Sequence, residues 1–319
     1  MSIITFDELP RALEAERAGL DIAAFGGHAE RKVLHFVRRS TTYLADYVAL
    51  YEREGDRLWG QVLVARFPYA FRNRTEIVAG LMGVTTRKEA AGRGVATRLI
   101  QAVHSRERRA GIRHVFLWTN PSWHAHDLYE KLGYRDVYCP PLATKWIRRT
   151  RPVPAGWTVR PARVQELRAL ERIHGAATRA GLGFAPRPRR CLDIAVRFER
   201  MDLKSLLVTR RHDRVMAYAL VNRRRRIVRC GELMALDPSS RAVTLSAVES
   251  MAAGSVCGLD DSVVGSDIPD LRDRGYTIAP SRWWVLMARP LGSRSGQKWD
   301  ASDYGTEDAR FTCMTLDRF

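Results

Sequence analysis

The chain has 319 residues, 45% hydrophobic and 28% charged, which is the profile of a soluble globular protein rather than a disordered one. No apolar run approaches the roughly 18 residues of a membrane span, and the start, Met1-Ser-Ile-Ile-Thr-Phe-Asp-Glu, lacks the basic and apolar stretches of a signal peptide, so a cytoplasmic protein with no membrane partner is expected. The formal charge of +18 favours anionic partners such as a nucleotide cofactor, an acidic substrate or nucleic acid, but the arginines are spread along the chain rather than gathered into one stripe.

Leu9, Ala12, Leu13 and Leu20 fall at helical spacing and predict a helix over 6–24, with a second helical segment around Glu30–Arg39. Tyr43–Arg53 and Arg57–Arg66 read as an antiparallel hairpin closed at Glu54-Gly-Asp. The next strand, Glu76–Thr86, runs into a loop holding Gly92 and Gly94. That loop opens into a helix with Val95, Leu99, Ile100 and Val103 on one face, stopped by Gly111. Val115–Thr119 is a short buried strand, Trp123–Leu132 a helix ended by Gly133, and Tyr134–Tyr138 a further strand. Pro140-Pro141 and Arg149–Gly156 are rich in breakers and mark a linker, with a boundary near residue 152.

The second half restarts with a strand, Trp157–Pro161, and an amphipathic helix, Val164–Ala180. A hairpin over 203–222 turns at His212-Asp-Arg, and Arg223–Arg226 makes another turn before a strand over Ile227–Leu236. Thr244–Ala253 reads as a helix, Ser262–Gly265 as a short strand, and Ala309–Phe319 as a terminal strand. This order echoes the first half, and Leu271-Arg-Asp-Arg-Gly-Tyr echoes its Tyr-Glu-Lys-Leu-Gly-Tyr, so a diverged internal duplication is expected. The fold class is α/β (α+β): two domains, 1–151 and 152–319, each a mixed, mostly antiparallel sheet flanked by helices.

A glycine turn at a helix start presents unpaired backbone N–H groups with the positive end of the helix dipole behind them, a ready site for a pyrophosphate. A Walker loop would need a lysine after Gly94, and a dinucleotide fingerprint a third glycine or alanine where Thr97 stands, so neither fits. Five scattered cysteines without a Cys-x-x-Cys pair predict no disulfide framework and no metal site.

Two motifs carry a resemblance. Ala91-Gly92-Arg93-Gly94-Val95-Ala96 resembles the acyl-CoA loop of the GNAT N-acetyltransferases, Gln/Arg-x-x-Gly-x-Gly/Ala, departing at Ala91. One strand later, Ala125-His-Asp-Leu-Tyr-Glu-Lys-Leu-Gly-Tyr134 resembles the family's Ala-x-x-Leu-Tyr-Glu-Lys-Leu-Gly-Phe helix. The resemblance covers about the first 150 residues and implies acetyl-CoA as cosubstrate. Its pyrophosphate would be held by backbone amides of the loop from Ala91 to Thr97, with Arg87, Lys88 or Arg93 supplying charge that an alanine at position 91 does not. Val84, Thr85 and Thr86, at the end of the strand, correspond to where a backbone N–H polarises the thioester carbonyl. The family's asparagine, three residues before the alanine, is Ser122 here, with Asn120 nearby. Tyr129 takes the place of the tyrosine that protonates the departing thiolate.

The general base stays open. Glu76, through a relayed water, is one candidate, and His124 and His126 flank the tyrosine. The carboxylate of Phe319 is another, by similarity to the Eis-type aminoglycoside acetyltransferases. The second half has Leu236-Asp-Pro-Ser-Ser-Arg where a phosphate loop would stand, and an aspartate beside a pyrophosphate is unfavourable. It is therefore expected to be a degenerate copy, shaping the acceptor pocket or pairing with the first sheet. Trp283-Trp284 and Trp299 are candidates to line an acceptor cleft. The expected activity is acetyl transfer to a primary amine of a small molecule. A non-catalytic acyl-CoA sensor or scaffold, and acetyl transfer to protein or RNA, are the alternatives.

Overall fold

The period-two pattern of the longest strand sets out the first half. In Arg57–Ala70, Val62 and Val64 point to one core and Leu63 to another, so that strand is covered on both faces. A computed structural model describes residues 1–25, 47–184, 186–187, 190–198, 201–265, 268–281, 283–292, 301–308 and 311–312. The expected helix around 30–39 and nearly all of the expected terminal strand lie outside the described residues, where only Phe311–Thr312 is seen as a strand.

In chain order the strands are β1 (Ser2–Thr5), β2 (Tyr47–Glu54), β3 (Arg57–Ala70), β4 (Thr75–Thr86), β5 (His114–Thr119), β6 (Arg135–Tyr138), β7 (Pro141–Ile147), β8 (Trp157–Pro161) and β9 (Leu182–Gly183). They continue with β10 (Leu206–Arg211), β11 (Arg214–Arg224), β12 (Ile227–Ala235), β13 (Ser255–Leu259), β14 (Thr277–Pro280), β15 (Val285–Pro290) and β16 (Phe311–Thr312). The helices are α1 (Glu14–Phe25), α2 (Val95–Arg109), α3 (His124–Lys131), α4 (Leu167–Ala177), α5 (Cys191–Phe198), α6 (Pro238–Met251), α7 (Asp261–Val264) and α8 (Ile268–Asp273).

Two mixed, mostly antiparallel sheets result, as expected. The first runs β1-β2-β3-β4-β5-β15-β6, with β9 and β16 attached beside β3. The second runs β14-β7-β13-β12-β11-β10-β8. Each has one parallel pair within its main path, β4 with β5 and β12 with β13. Helix α2 lays Val95, Leu99, Ile100 and Val103 against the first sheet, as its spacing predicts, and α1 covers the opposite face through Leu20.

The sheets do not divide at residue 152. β7, which precedes that point, is hydrogen-bonded between β14 and β13 of the second sheet. β15, from the far end of the chain, lies between β5 and β6 of the first. Each half thus lends a strand to the other. An aromatic cluster of Tyr69, Phe71, Phe116, Phe184 and Tyr304 adds a second stitch, with the Tyr69 hydroxyl donating to the Tyr304 carbonyl at 2.8 Å.

Two local expectations need correction. Pro141 is no linker residue: it opens β7, at the first strand position, where a missing N–H costs least. Ser262–Gly265 is not a strand. Val263 and Val264 are buried on the short helix α7, and the strand is the apolar run just before it, β13. Trp283, a candidate to line an acceptor cleft, lies in the connection between β14 and β15 and is 70% exposed.

Candidate active site

The fork between β4 and β5 is the organising feature. The two strands pair in parallel at Ala79–Val115, Gly80–Phe116 and Leu81–Leu117, and then part. β4 runs on to Thr86 with its outer edge unpaired by any strand among the described residues, leaving backbone N–H and C=O groups available to an extended ligand. A bulge sharpens the departure: Gly83 and Val84 together face Val62, between the pairs Leu63–Met82 and Gln61–Thr85. Val84, Thr85 and Thr86 therefore sit on the open edge.

The glycine loop follows at once. Gly92 and Gly94 adopt φ of 76° and 74°, the left-handed region that other residues enter at a cost. The first intrahelical bond of α2 runs from the Arg98 N–H to the Gly94 carbonyl at 3.0 Å. The amides of Val95, Ala96 and Thr97 precede it and point out of the helix start, with the dipole behind them. The loop residues from Ala91 to Gly94 are exposed beside an open strand edge; the Ala91 and Arg93 amides donate to the Lys88 and Ala90 carbonyls at 3.1 and 3.2 Å, and the left-handed glycines stand between and after them. The amides at the helix start fit a pyrophosphate-bearing acyl-CoA.

The sequence offered no hint of what fixes the loop. Arg98 forms a bidentate pair with Glu52 on β2 at 2.9 and 2.6 Å, and its Nη1 donates to the Arg93 carbonyl at 2.7 Å. Arg98 looked like a polar-face residue of a helix, and only the close packing of β2 reveals its partner. Of the three cations expected to compensate for Ala91, Arg87 is tied to Glu16 at 2.9 Å and to the Leu58 carbonyl at 2.8 Å. Arg93 lies over the Trp59 ring at 5.0 Å and 3.8 Å from Glu54. Lys88 is exposed beside the loop.

Tyr129 lies on α3 with its ring buried in the same apolar cluster as Leu81 and Leu117, the pair at which the strands part. Burial pushes its phenol up to about 12, so the hydroxyl keeps its proton at neutral pH and can give it away. Arg289, from the lent strand β15, anchors the end of this helix. It donates to the Leu132 carbonyl and to His104 Nδ1, the latter at 2.9 Å. That leaves His104 Nε2 to donate to the Tyr134 hydroxyl at 2.7 Å, and burial lowers this histidine to about 3, fixing it neutral. Asn120, buried at the end of β5, accepts the Ser122 N–H at 2.8 Å through Oδ1 and so shapes the turn into α3. Ser122 itself is exposed.

Of the candidate bases, Glu76 lies away from this fork. Glu76 stands near the opposite end of β4, eight residues before Val84, or about 26 Å by strand rise. It is occupied there by Arg74 and by Arg113 at 2.9 Å, with His114 at 3.9 Å. His126 is turned onto Asp136 of β6 at 2.9 Å, His124 is exposed, and the Phe319 carboxylate and Trp299 lie outside the described residues. Trp284 does reach the first half, meeting Trp123 edge-on at 6.2 Å beside the entrance to α3.

The second half lacks the corresponding site for a physical reason. α6 follows β12 as α2 follows β4, but Asp237 caps it, its carboxylate accepting the Ser240 N–H at 2.7 Å. The helix start is filled by a negative charge of the chain's own.

Residues 12–137 match the model of a family described as the acetyltransferase (GNAT) domain. No curated protein matches the sequence. Among solved structures, a GCN5-related N-acetyltransferase from Kribbella flavida is 20% identical, covering 91% of this chain and 72% of its own, with a TM-score of 0.64. Eis1 from Mycobacterium abscessus is 16% identical over 92% of this chain and 74% of its own, with a TM-score of 0.60. A tandem GNAT protein of the clavulanic acid pathway is 12% identical over 92% of this chain and all (100%) of its own, with a TM-score of 0.54. At these identities the three share the fold with this chain. The match places a GNAT acetyltransferase domain in the first half of the chain, residues 12–137, and the chain shares the fold of these three structures.

Proposed function

We propose that the protein is an acetyl-CoA-dependent N-acetyltransferase acting on a primary amine of a small molecule. The observation that carries this reading is the placement of a protonated, buried phenol, Tyr129, in the wall of the fork between β4 and β5, directly after which the strand edge and glycine loop are open to a ligand. Loop amides from Gly94 to Thr97 would hold the pyrophosphate, and the β4 edge beyond Leu81 would hold the extended pantetheine arm. Acetyl-CoA supplies an activated acetyl group as a thioester. The amine nitrogen forms a bond to the carbonyl carbon, the carbon–sulfur bond breaks, and Tyr129 delivers its proton to the sulfur. The proton lost by the amine leaves through water, and water returns one to the Tyr129 phenolate to close the cycle. Backbone N–H groups of the bulge at Gly83–Val84 are placed to take the charge on the carbonyl oxygen.

A small acceptor is in keeping with the second half, whose β14–β15 connection brings Trp284 edge-on to Trp123 at the start of α3. The test is steady-state CoA release with a panel of small amines. Amine-dependent release above hydrolysis is expected, and Tyr129→Phe should lower kcat by about 10²-fold or more with little change in acetyl-CoA affinity. Tight acetyl-CoA binding without amine-dependent release would instead favour a non-catalytic sensor.

A further inference from the structure

A cavity of about 620 Å³ opens where the turn between β3 and β4 meets α4 and the segment leading into α5. It is large enough for a metabolite-sized ligand. It is not the acyl-transfer fork: Thr75 on its wall lies nine residues before Val84, about 30 Å along β4.

The charge of its lining is one-sided. Arg168, Arg172, Arg179 and Arg187 face it, against the single carboxylate of Glu171. Arg187 is neutralised by a bidentate pair with Glu232 at 3.0 and 2.8 Å, and Glu171 accepts the Leu192 N–H at 3.2 Å. The exposed guanidinium groups of Arg168, Arg172 and Arg179 remain to attract an anion.

His174 marks the wall of the cavity. It is 5% exposed, and its Nε2 is buried with no hydrogen-bond partner among the described residues. Burial, helped by the charge of Arg187, lowers it to about 4, so the ring is neutral at pH 7 and Nε2 can either donate or accept. A buried polar atom left unpaired destabilises a fold, a cost that a bound polar group would relieve.

We propose that this cavity is a second binding site, distinct from the acyl-transfer site, for a small polyanion. Arg168, Arg172 and Arg179 take its acidic groups, and Nε2 of His174 hydrogen-bonds one of its polar atoms.

The test is calorimetric titration of the full chain, in excess CoA to occupy the glycine loop, with inorganic pyrophosphate and with citrate. Saturable one-to-one binding of at least one probe is expected, and the stronger of the two tells phosphate from carboxylate recognition. The double variant Arg168→Glu/Arg172→Glu alters two exposed side chains, so the fold should persist while affinity falls at least about tenfold. His174→Phe should weaken binding at least about fivefold without lowering the melting temperature, since it removes an unpaired polar atom. No saturable binding of either probe, or an affinity unchanged in the double variant, overturns the proposal. Neither result touches the acyltransferase reading, whose assay does not involve this cavity.

Discussion

At the level of single side chains, the sequence disclosed what is fixed by local chemistry and concealed what is fixed by packing. Tyr129 could be found because its helix carries a recognisable run, and its burial keeps the hydroxyl protonated at neutral pH. Because the phenol keeps its proton to about pH 12, turnover should rise with pH as the amine deprotonates, with no fall from tyrosine ionisation below about pH 11; a pH–rate profile of wild type against Tyr129→Phe checks this. Glu76 misled because a carboxylate in a strand looks alike at either end, and only tracing β4 shows it paired with Arg113, far from the fork. Glu166 is a residue the sequence left unmarked. Arg160 holds it at 2.7 and 2.9 Å, the Arg163 N–H donates at 2.9 Å and Arg210 at 3.0 Å, and its carboxyl is lowered from 4.5 to about 2. A carboxylate lowered in the fold stabilises it above the unfolded pKa and loses that contribution as pH falls through the folded one. Glu166→Gln should therefore cost roughly 1–3 kcal/mol at pH 7 and flatten the acid limb of stability between about pH 4.5 and 2, as read from denaturant melts at several pH values.

At the level of elements, the position of α2 depends on a residue it does not contain. A Cβ on Gly60 of β3 would lie 2.6 Å from Val95 Cγ1 and 2.7 Å from the Thr85 carbonyl oxygen. The first is the buried opening residue of α2, and the second is backbone that has little room to give. Gly60→Ala should push the helix start away from the end of β4, destabilise the fold by about 1–3 kcal/mol and raise KM for acetyl-CoA more than it lowers kcat. Thermal melts and KM measured at saturating amine separate the two effects. The strand, loop and helix of this unit were legible because glycine, the apolar face and the following helix motif agree on one reading. The capped start of α6 was legible in part: Asp237 signalled that a phosphate would be unwelcome, but the helix begins six residues before the Thr244 at which its pattern becomes plain.

At the level of the whole molecule, the number and class of the sheets could be read, but the trade of strands could not. β7 and β15 are short apolar runs with no local mark of which edge they will join, and Pro140-Pro141 pointed to an ending just where β7 begins. Partner choice for such strands is a non-local property, decided by the gap left between β5 and β6 and by the gap between β14 and β13. Residues 1–151 made alone would lack β15, expose the edges of β5 and β6, and lose the Arg289 anchor on the tyrosine helix. That fragment should aggregate or lack cooperative unfolding by circular dichroism, and supplying residues 152–319 in the same cell should restore soluble complex and CoA release. A fragment that folds and turns over unaided would count against this view.

The exchange also bears on descent. A duplicated copy that has lost its phosphate site is ordinarily free to be deleted. Here deletion would tear β15 from the first sheet and leave β7 without one, so the two halves are inherited as one object. Selection on the first half alone is enough to preserve the framework of the second, while leaving its surface, including the arginine-lined cavity, open to acquire a separate use.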